Sequence, residues 1–145
     1  MEGWMQTREV ENLHCSSVLE LHFRDVNKYP PLQQEELNRL VLEMKAGSEE
    51  AFQKIVLHNM RYAISVAKKF RSTSIPFEDL IQAGYVGLIA AVRRLDPERT
   101  NTFSTYAVWW ITVYIYREIS KMDTMLGMRG NMRHRNRILN VRTKL

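Results

Sequence analysis

Cysteine is nearly missing from this chain of 145 residues: Cys15 stands alone, so neither an internal disulfide nor a CxxC metal pair is available. The four histidines, His14, His22, His58 and His134, lack the spacing of an HExxH-type pair, so neither a metal nor any other cofactor is expected. No apolar run approaches the roughly 20 residues that a membrane span needs, and the start, MEGWMQTREV, has no basic-then-apolar secretory leader. These absences predict a soluble, cytoplasmic protein without membrane contact. A nucleophile with its base, paired carboxylates and a phosphate-binding loop are missing too, so an enzyme is not expected.

Negative charge is also missing from one end. No acidic residue follows Asp123, while Arg129, Arg133, Arg135, Arg137, Arg142 and Lys144 do, and the net charge of +5 therefore belongs to the tail. Such a run reads equally as a solvated helix face or as a set of phosphate contacts, which need clustered cations.

What is present is helical pattern with clear punctuation. In YPPLQQEELNRLVLEMKAGSEE, Pro30 and Pro31 form a helix entry, Leu37 and Leu40 repeat at helical spacing, and Gly47 is a stop. A helix is predicted from about Leu32 to Ala46. Ser48 is the next N-cap, followed by Glu49 and Glu50 where the helix dipole favours anions. The pattern continues through AFQKIVLHNMRYAISVAKKF with a break expected near His58 and Asn59. RSTSIP reads as a loop, and Pro76 opens FEDLIQAGYVGLIAAVRRL, which gathers Leu80, Gly84, Gly87, Leu88, Ala91 and Leu95 on one face. DPERTN breaks the chain again. No alternating strand-like run competes with these segments, so the class is all-α.

The segment STYAVWWITVYIYREI, Ser104 to Ile119, is the most unusual, with five aromatic rings between Tyr106 and Tyr116. At about 100° per residue, Ala107, Val108, Ile111, Ile115 and Ile119 share one side, and Tyr106, Trp109, Trp110, Val113 and Arg117 the other. Aromatic stripes at helical spacing are usually core. The arginine among these rings points instead to a displayed surface, where unpaired bases stack on rings for roughly 1–3 kcal/mol each and cations hold the phosphates.

The run NMRYAISVAKKFRSTSIPFEDLIQAGYVGLIAAVRRLDPERTNTFSTYAVWWI resembles region 2 of the bacterial sigma-70 family of RNA polymerase sigma factors. ISVAKKF, PFEDLIQAGYVGL and FSTYAVWWI occur in the family's order and spacing. Upstream, LHFRDVNKYPPLQQEELNRLVLEMKAGSEEA is similar to the preceding region 1.2, so the resemblance covers roughly Leu21 to Ile119. It implies a compact helical bundle like sigma factor domain 2, with a basic C-terminal helix. Its implied divisions are an N-terminal extension over 1–25, a region 1.2 and region 2 helical domain over 26–121, and a basic segment over 122–145 that starts region 3. The lack of a long acidic N-terminal extension and the basic tail are similar to alternative or phage-borne members. A chain that stops at Leu145 is expected to be a fragment, or one whose remaining domains reside on another polypeptide.

Two surfaces follow from the resemblance. Asp79, Leu80, Gln82, Tyr85, Leu88 and Ile89 match the set that docks on a coiled coil of the RNA polymerase largest subunit, although Ala83 and Tyr85 stand where housekeeping members carry an acid and an asparagine. Asn59, Tyr62, Arg99, Phe103, Ser104, Thr105, Tyr106, Trp109 and Trp110 match the set that opens the promoter minus-ten element and holds its non-template single strand, with Arg117 beside them. Tyr106 would stack on a flipped adenine, the two tryptophans would wedge against the last intact base pair, and Asn59 and Ser104 would line a pocket for a later base. Val113 and Tyr116 replace a glutamine and a threonine at positions the resemblance assigns to the upstream edge of the element. The implied partners are RNA polymerase core and promoter DNA, with an anti-sigma factor or a second sigma subunit as a further possibility. The alternative reading is a sigma-like decoy or partial sigma subunit, which binds polymerase and needs a second protein for promoter recognition.

Overall fold

The computed structural model describes residues 17–98 and 102–125. Five α-helices follow one another there: α1 (Ser17–Val26), α2 (Gln34–Lys45), α3 (Glu49–Ala67), α4 (Phe77–Arg93) and α5 (Phe103–Met125), with a single 3-10 turn, Lys68–Phe70, after α3. No strand occurs among the described residues, in agreement with the all-α reading.

The helix boundaries follow from local chemistry. Pro30 and Pro31 keep the chain extended to Gln33, whose carbonyl accepts the Leu37 N–H at 2.9 Å, so α2 starts at Gln34 rather than at Leu32. Its end is a Schellman turn: Gly47 N–H donates to Met44 O and Ser48 N–H to Glu43 O, both at 3.0 Å. Gly47 has φ +102°, which side chains other than glycine rarely tolerate. Ser48 then caps α3 by accepting the Ala51 N–H at 3.1 Å. Ser48→Ala is expected to cost about 0.5–2 kcal/mol, read as a lower urea midpoint at unchanged slope. A midpoint equal to wild type would mean that this cap contributes nothing.

The expected break at His58 and Asn59 is absent, since α3 runs unbroken through both. Their polar side chains serve the helix rather than interrupt it. Asn59 Nδ2 donates to the Ile55 carbonyl one turn back at 2.8 Å, and His58 Nδ1 donates to Pro30 O at 2.6 Å. Lys54 and Glu36 link α3 to α2 at 2.7 Å, and the ammonium holds the Glu36 carboxyl below its ordinary value. Both groups are largely in water, so the link adds little stability.

Helix α1 was not legible in advance, and it crosses the expected division at 25/26. Leu19, Phe23 and Val26 fall on one side of it and are buried, which ties it to the rest of the bundle. At the other end α5 continues to Met125, past 121, and Met122 packs against the core. The basic segment beyond, including the expected C-terminal helix, lies outside the described residues.

The centre is built from Ile55, Ile64, Leu80, Ile81, Leu88, Ile111 and Ile115, each essentially without exposure. Burying one such side chain contributes roughly 1.5–3 kcal/mol. α4 and α5 form the most extensive pairing, because Gly84 and Gly87 leave a groove into which Ile111 and the backbone of Trp110 settle.

Candidate nucleic-acid interface and docking face

The aliphatic side of α5 decides where its aromatic side points. Phe103, Ala107, Ile111, Ile115 and Ile119 are buried against α4 and α3, which holds Tyr106, Trp109 and Trp110 half-buried at the surface. The two indoles meet edge to face, with centroids 4.7 Å apart at 87°, and Tyr106 stands edge-on to Trp110 at 6.4 Å. Both indole N–H groups are buried and find no acceptor among the described residues. An unmet donor of this kind typically costs about 1–3 kcal/mol. The pair is held in place by ring packing rather than by polar bonds.

Hydrogen bonds fix the rim. Tyr62, on α3, donates to the Ser104 carbonyl at 3.0 Å, and Tyr106 donates to the Arg94 carbonyl at 3.2 Å. Burial pushes the Tyr62 phenol upward, so it stays a donor at neutral pH. Thr102 and Thr105 share a bond at 2.8 Å, while Ser104 and Thr105 remain exposed at the start of α5. Asn59 and Tyr62 lie on α3, and Ser104, Thr105, Tyr106, Trp109 and Trp110 in the first turns of α5, with the Tyr62 bond joining the two helices.

Two expected DNA-contacting residues stand differently. Phe103 is 7% exposed and belongs to the core, where it anchors the first turn of α5. Tyr116 is likewise buried, edge-on to Phe70 at 5.1 Å, so its ring cannot read a base pair from that position. Arg99 lies outside the described residues. Val113 is half-buried on the tryptophan side and Arg117 is exposed, with its guanidinium 4.8 Å from the Tyr114 ring.

Sequence reasoning missed Arg94. Its guanidinium lies 4.7 Å from the Trp110 ring centroid, a cation seated directly on the aromatic face. The signal was weak, because Arg94 ends α4 while Trp110 sits in α5, and only the turn between them brings the two together.

The docking set divides by burial. Asp79, Gln82 and Ile89 are exposed on α4, with Val86 beside them. Leu80 and Leu88 have no exposure and Tyr85 only 8%, so these three cannot meet a partner in this conformation. The reason is periodicity: Leu80 and Leu88 face α3 and α5, and Tyr85 is covered by α1, whose His22 Nε2 shares a 2.6 Å hydrogen bond with its hydroxyl. Burial pushes the Tyr85 phenol far up, so it remains protonated there. His22 was not singled out beforehand, since α1 itself was not expected.

Fold and surface together define the class: an all-α domain that keeps an aromatic face half-exposed beside stacked arginine, with a mixed apolar and acidic face on the helix behind. The profile of the family described as Sigma-70 region 2 matches residues 55–124, and the chain belongs to the sigma-70 family. It is similar to the RNA polymerase sigma-C factor of Myxococcus xanthus, 36% identical over 103 residues that cover 71% of this chain and 35% of that protein. RNA polymerase sigma factor RpoS of Coxiella burnetii is 32% identical over 114 residues, covering 79% of this chain and 32% of the relative. RNA polymerase sigma factor RpoD of Helicobacter pylori is 41% identical over 87 residues, which cover 58% and 13%. The chain spans about a third of the length of the first two relatives. Among the described residues no helix is long and apolar enough to cross a membrane, and no cluster of side chains could hold a metal ion.

Proposed function

We propose that this chain acts as the region 2 part of a sigma factor: it docks on RNA polymerase core, recognises and melts the promoter minus-ten element, and holds the non-template strand during transcription initiation. The observation that carries this is the half-exposed face of Tyr106, Trp109 and Trp110, fixed on a helix whose opposite side is fully buried. Three neighbouring rings, Tyr106 and Trp110 packed on the core by one side and all three half-exposed, offer an unpaired base a surface to stack on. Taking a base out of the stack costs a few kcal/mol, and an aromatic platform returns it.

Each neighbour has a task in this reading. Arg94, and Arg117 further along α5, supply cations near the rings for backbone phosphates. Ser104 and Thr105 offer exposed hydroxyls, and Asn59 an amide whose bond to its own helix can be exchanged for a base edge. The docking partner is the coiled coil of the polymerase largest subunit, met by Asp79, Gln82 and Ile89. Names of relatives that are RNA polymerase sigma factors support the same assignment.

Fluorescence anisotropy on the full chain tests it. A single-stranded non-template minus-ten oligonucleotide is expected to bind better than the same sequence as duplex, and Tyr106→Ala to weaken the single strand by roughly 1–3 kcal/mol. Equal affinity for both forms would remove the melting role. Capture of polymerase core without single-strand preference would leave the decoy reading.

A further inference from the structure

The exposed large apolar side chains of the described residues are few, and they are not scattered. Of Val18, Leu21, Leu42, Val86, Ile89 and Met125, four belong to α1 and α4. These two helices meet at the His22–Tyr85 bond, with ring centroids 5.6 Å apart, and again where Phe23 approaches Phe77 at 6.4 Å. His22 and Tyr85 both sit at the border between core and solvent. On the solvent side of His22 the next positions around α1 are Val18 and Leu21, 72% and 48% exposed. On the solvent side of Tyr85 the next positions around α4 are Gln82, Ile89 and Val86, the last two 36% and 51% exposed. Val18 and Leu21 on α1 and Gln82, Val86 and Ile89 on α4 thus lie on the solvent-facing sides of two helices that the His22–Tyr85 bond joins.

We infer that α1 and α4 form a single docking surface, and that the coiled coil of the polymerase largest subunit lies across the seam between them rather than along α4 alone. The inference rests on the docking reading proposed above and deepens it. Joint exposure is the first argument, because the His22–Tyr85 bond joins the helix that exposes Val18 and Leu21 to the one that exposes Val86 and Ile89. Tyr85 is the second: its ring is taken out of the α4 face by His22, so that face alone keeps only two exposed large apolar groups, too little for a stable contact. Charge is the third. Glu78 and Asp79 are exposed in the first turn of α4, and no ion pair to either is formed among the described residues, so an apolar ridge flanked by cations is the partner that fits.

The test uses the full chain and RNA polymerase core, with affinity measured for Ile89→Glu, Val18→Glu/Leu21→Glu and Leu42→Glu, the last a control on α2. All four substituted side chains are exposed, so the fold is expected to survive, and a thermal melt checks this. The inference expects the α1 pair to weaken core binding by roughly tenfold or more, as Ile89→Glu does, with Leu42→Glu near wild type. Binding of each variant to the single-stranded oligonucleotide should stay unchanged. If Ile89→Glu weakens binding and the α1 pair does not, the seam is not the docking surface, although the proposed function stands. If neither weakens it, both the seam and the α4 docking reading fall. A chain dimer that the α1 pair abolishes, with core binding untouched, would assign the surface to a second copy and overturn the inference.

Discussion

Gly87→Ala is expected to destabilise the fold by about 1–3 kcal/mol or more, whereas Gly84→Ala on the same helix should be neutral or stabilising. A Cβ on Gly87 would sit 2.7 Å from Ile111 Cα, 2.8 Å from the Trp110 carbonyl oxygen and 3.1 Å from Ile111 N. All three are backbone atoms, so α5 as a whole would have to retreat from α4. The gain of about 1 kcal/mol from replacing glycine within a helix does not offset that. At Gly84 the nearest atoms are 3.5, 3.6 and 3.7 Å away, which is ordinary contact, and the helix-propensity gain remains. Because the atoms that clash at Gly87 belong to Trp110 and Ile111, the same substitution should also disturb the aromatic face and weaken single-strand binding. Urea denaturation of both variants decides the point. Equal midpoints would mean that α4 and α5 do not approach as closely as described.

Tyr116→Thr is expected to cost about 3 kcal/mol of stability, at the low end of what loss of a buried aromatic ring costs. The family resemblance assigns Tyr116 and Val113 together to the upstream edge of the minus-ten element, and the structure separates them by burial. Tyr116 is 8% exposed with its ring against Phe70, so its replacement removes packing and not a base contact. Val113 is half-buried beside the tryptophans and can offer only an apolar contact, such as to a thymine methyl group. Val113→Gln should therefore leave stability within about 0.5–1 kcal/mol of wild type. It should shift the preferred upstream base pair by about 1–3 kcal/mol, because a glutamine can pair with a base edge. Thermal melts and promoter selection from a library randomised across the minus-ten element measure the two effects separately. Wild-type melting of Tyr116→Thr would place that ring outside the core, and unchanged selection by Val113→Gln would exclude Val113 from base reading.

Much of the helical order could be read from single residues that act locally. Ser48 and Gly47 punctuate the chain through bonds to atoms within five residues, and Pro76 sets the start of α4 in the same way. Signals of that range survive in a linear sequence. The break expected at His58 and Asn59 failed for the opposite reason. A polar pair within a helical run looks like an interruption until one side chain finds a carbonyl 28 residues away and the other bonds back to its own helix.

The candidate site divides along the same line. That α5 has an aliphatic and an aromatic side follows from its residue order alone, since about 100° per residue is fixed by the backbone. Which side the bundle would bury does not follow, because both are apolar enough to fill a core. Packing decided it: the groove at Gly84 and Gly87 accepts Ile111 and Ile115, and the rings are left at the surface.

By itself the sequence determined the all-α class, the α2, α4 and α5 segments and the motifs that place the chain in the sigma-70 family, because each depends on residues near one another in the chain. Only the tertiary structure decided that Leu80, Tyr85, Leu88, Phe103 and Tyr116 are interior, that Arg94 sits on Trp110 and that His22 closes over Tyr85. The physical reason is that burial and side-chain pairing are properties of two surfaces meeting. A helical wheel describes one surface only, and a separation of 63 positions between His22 and Tyr85 leaves no local mark of that encounter.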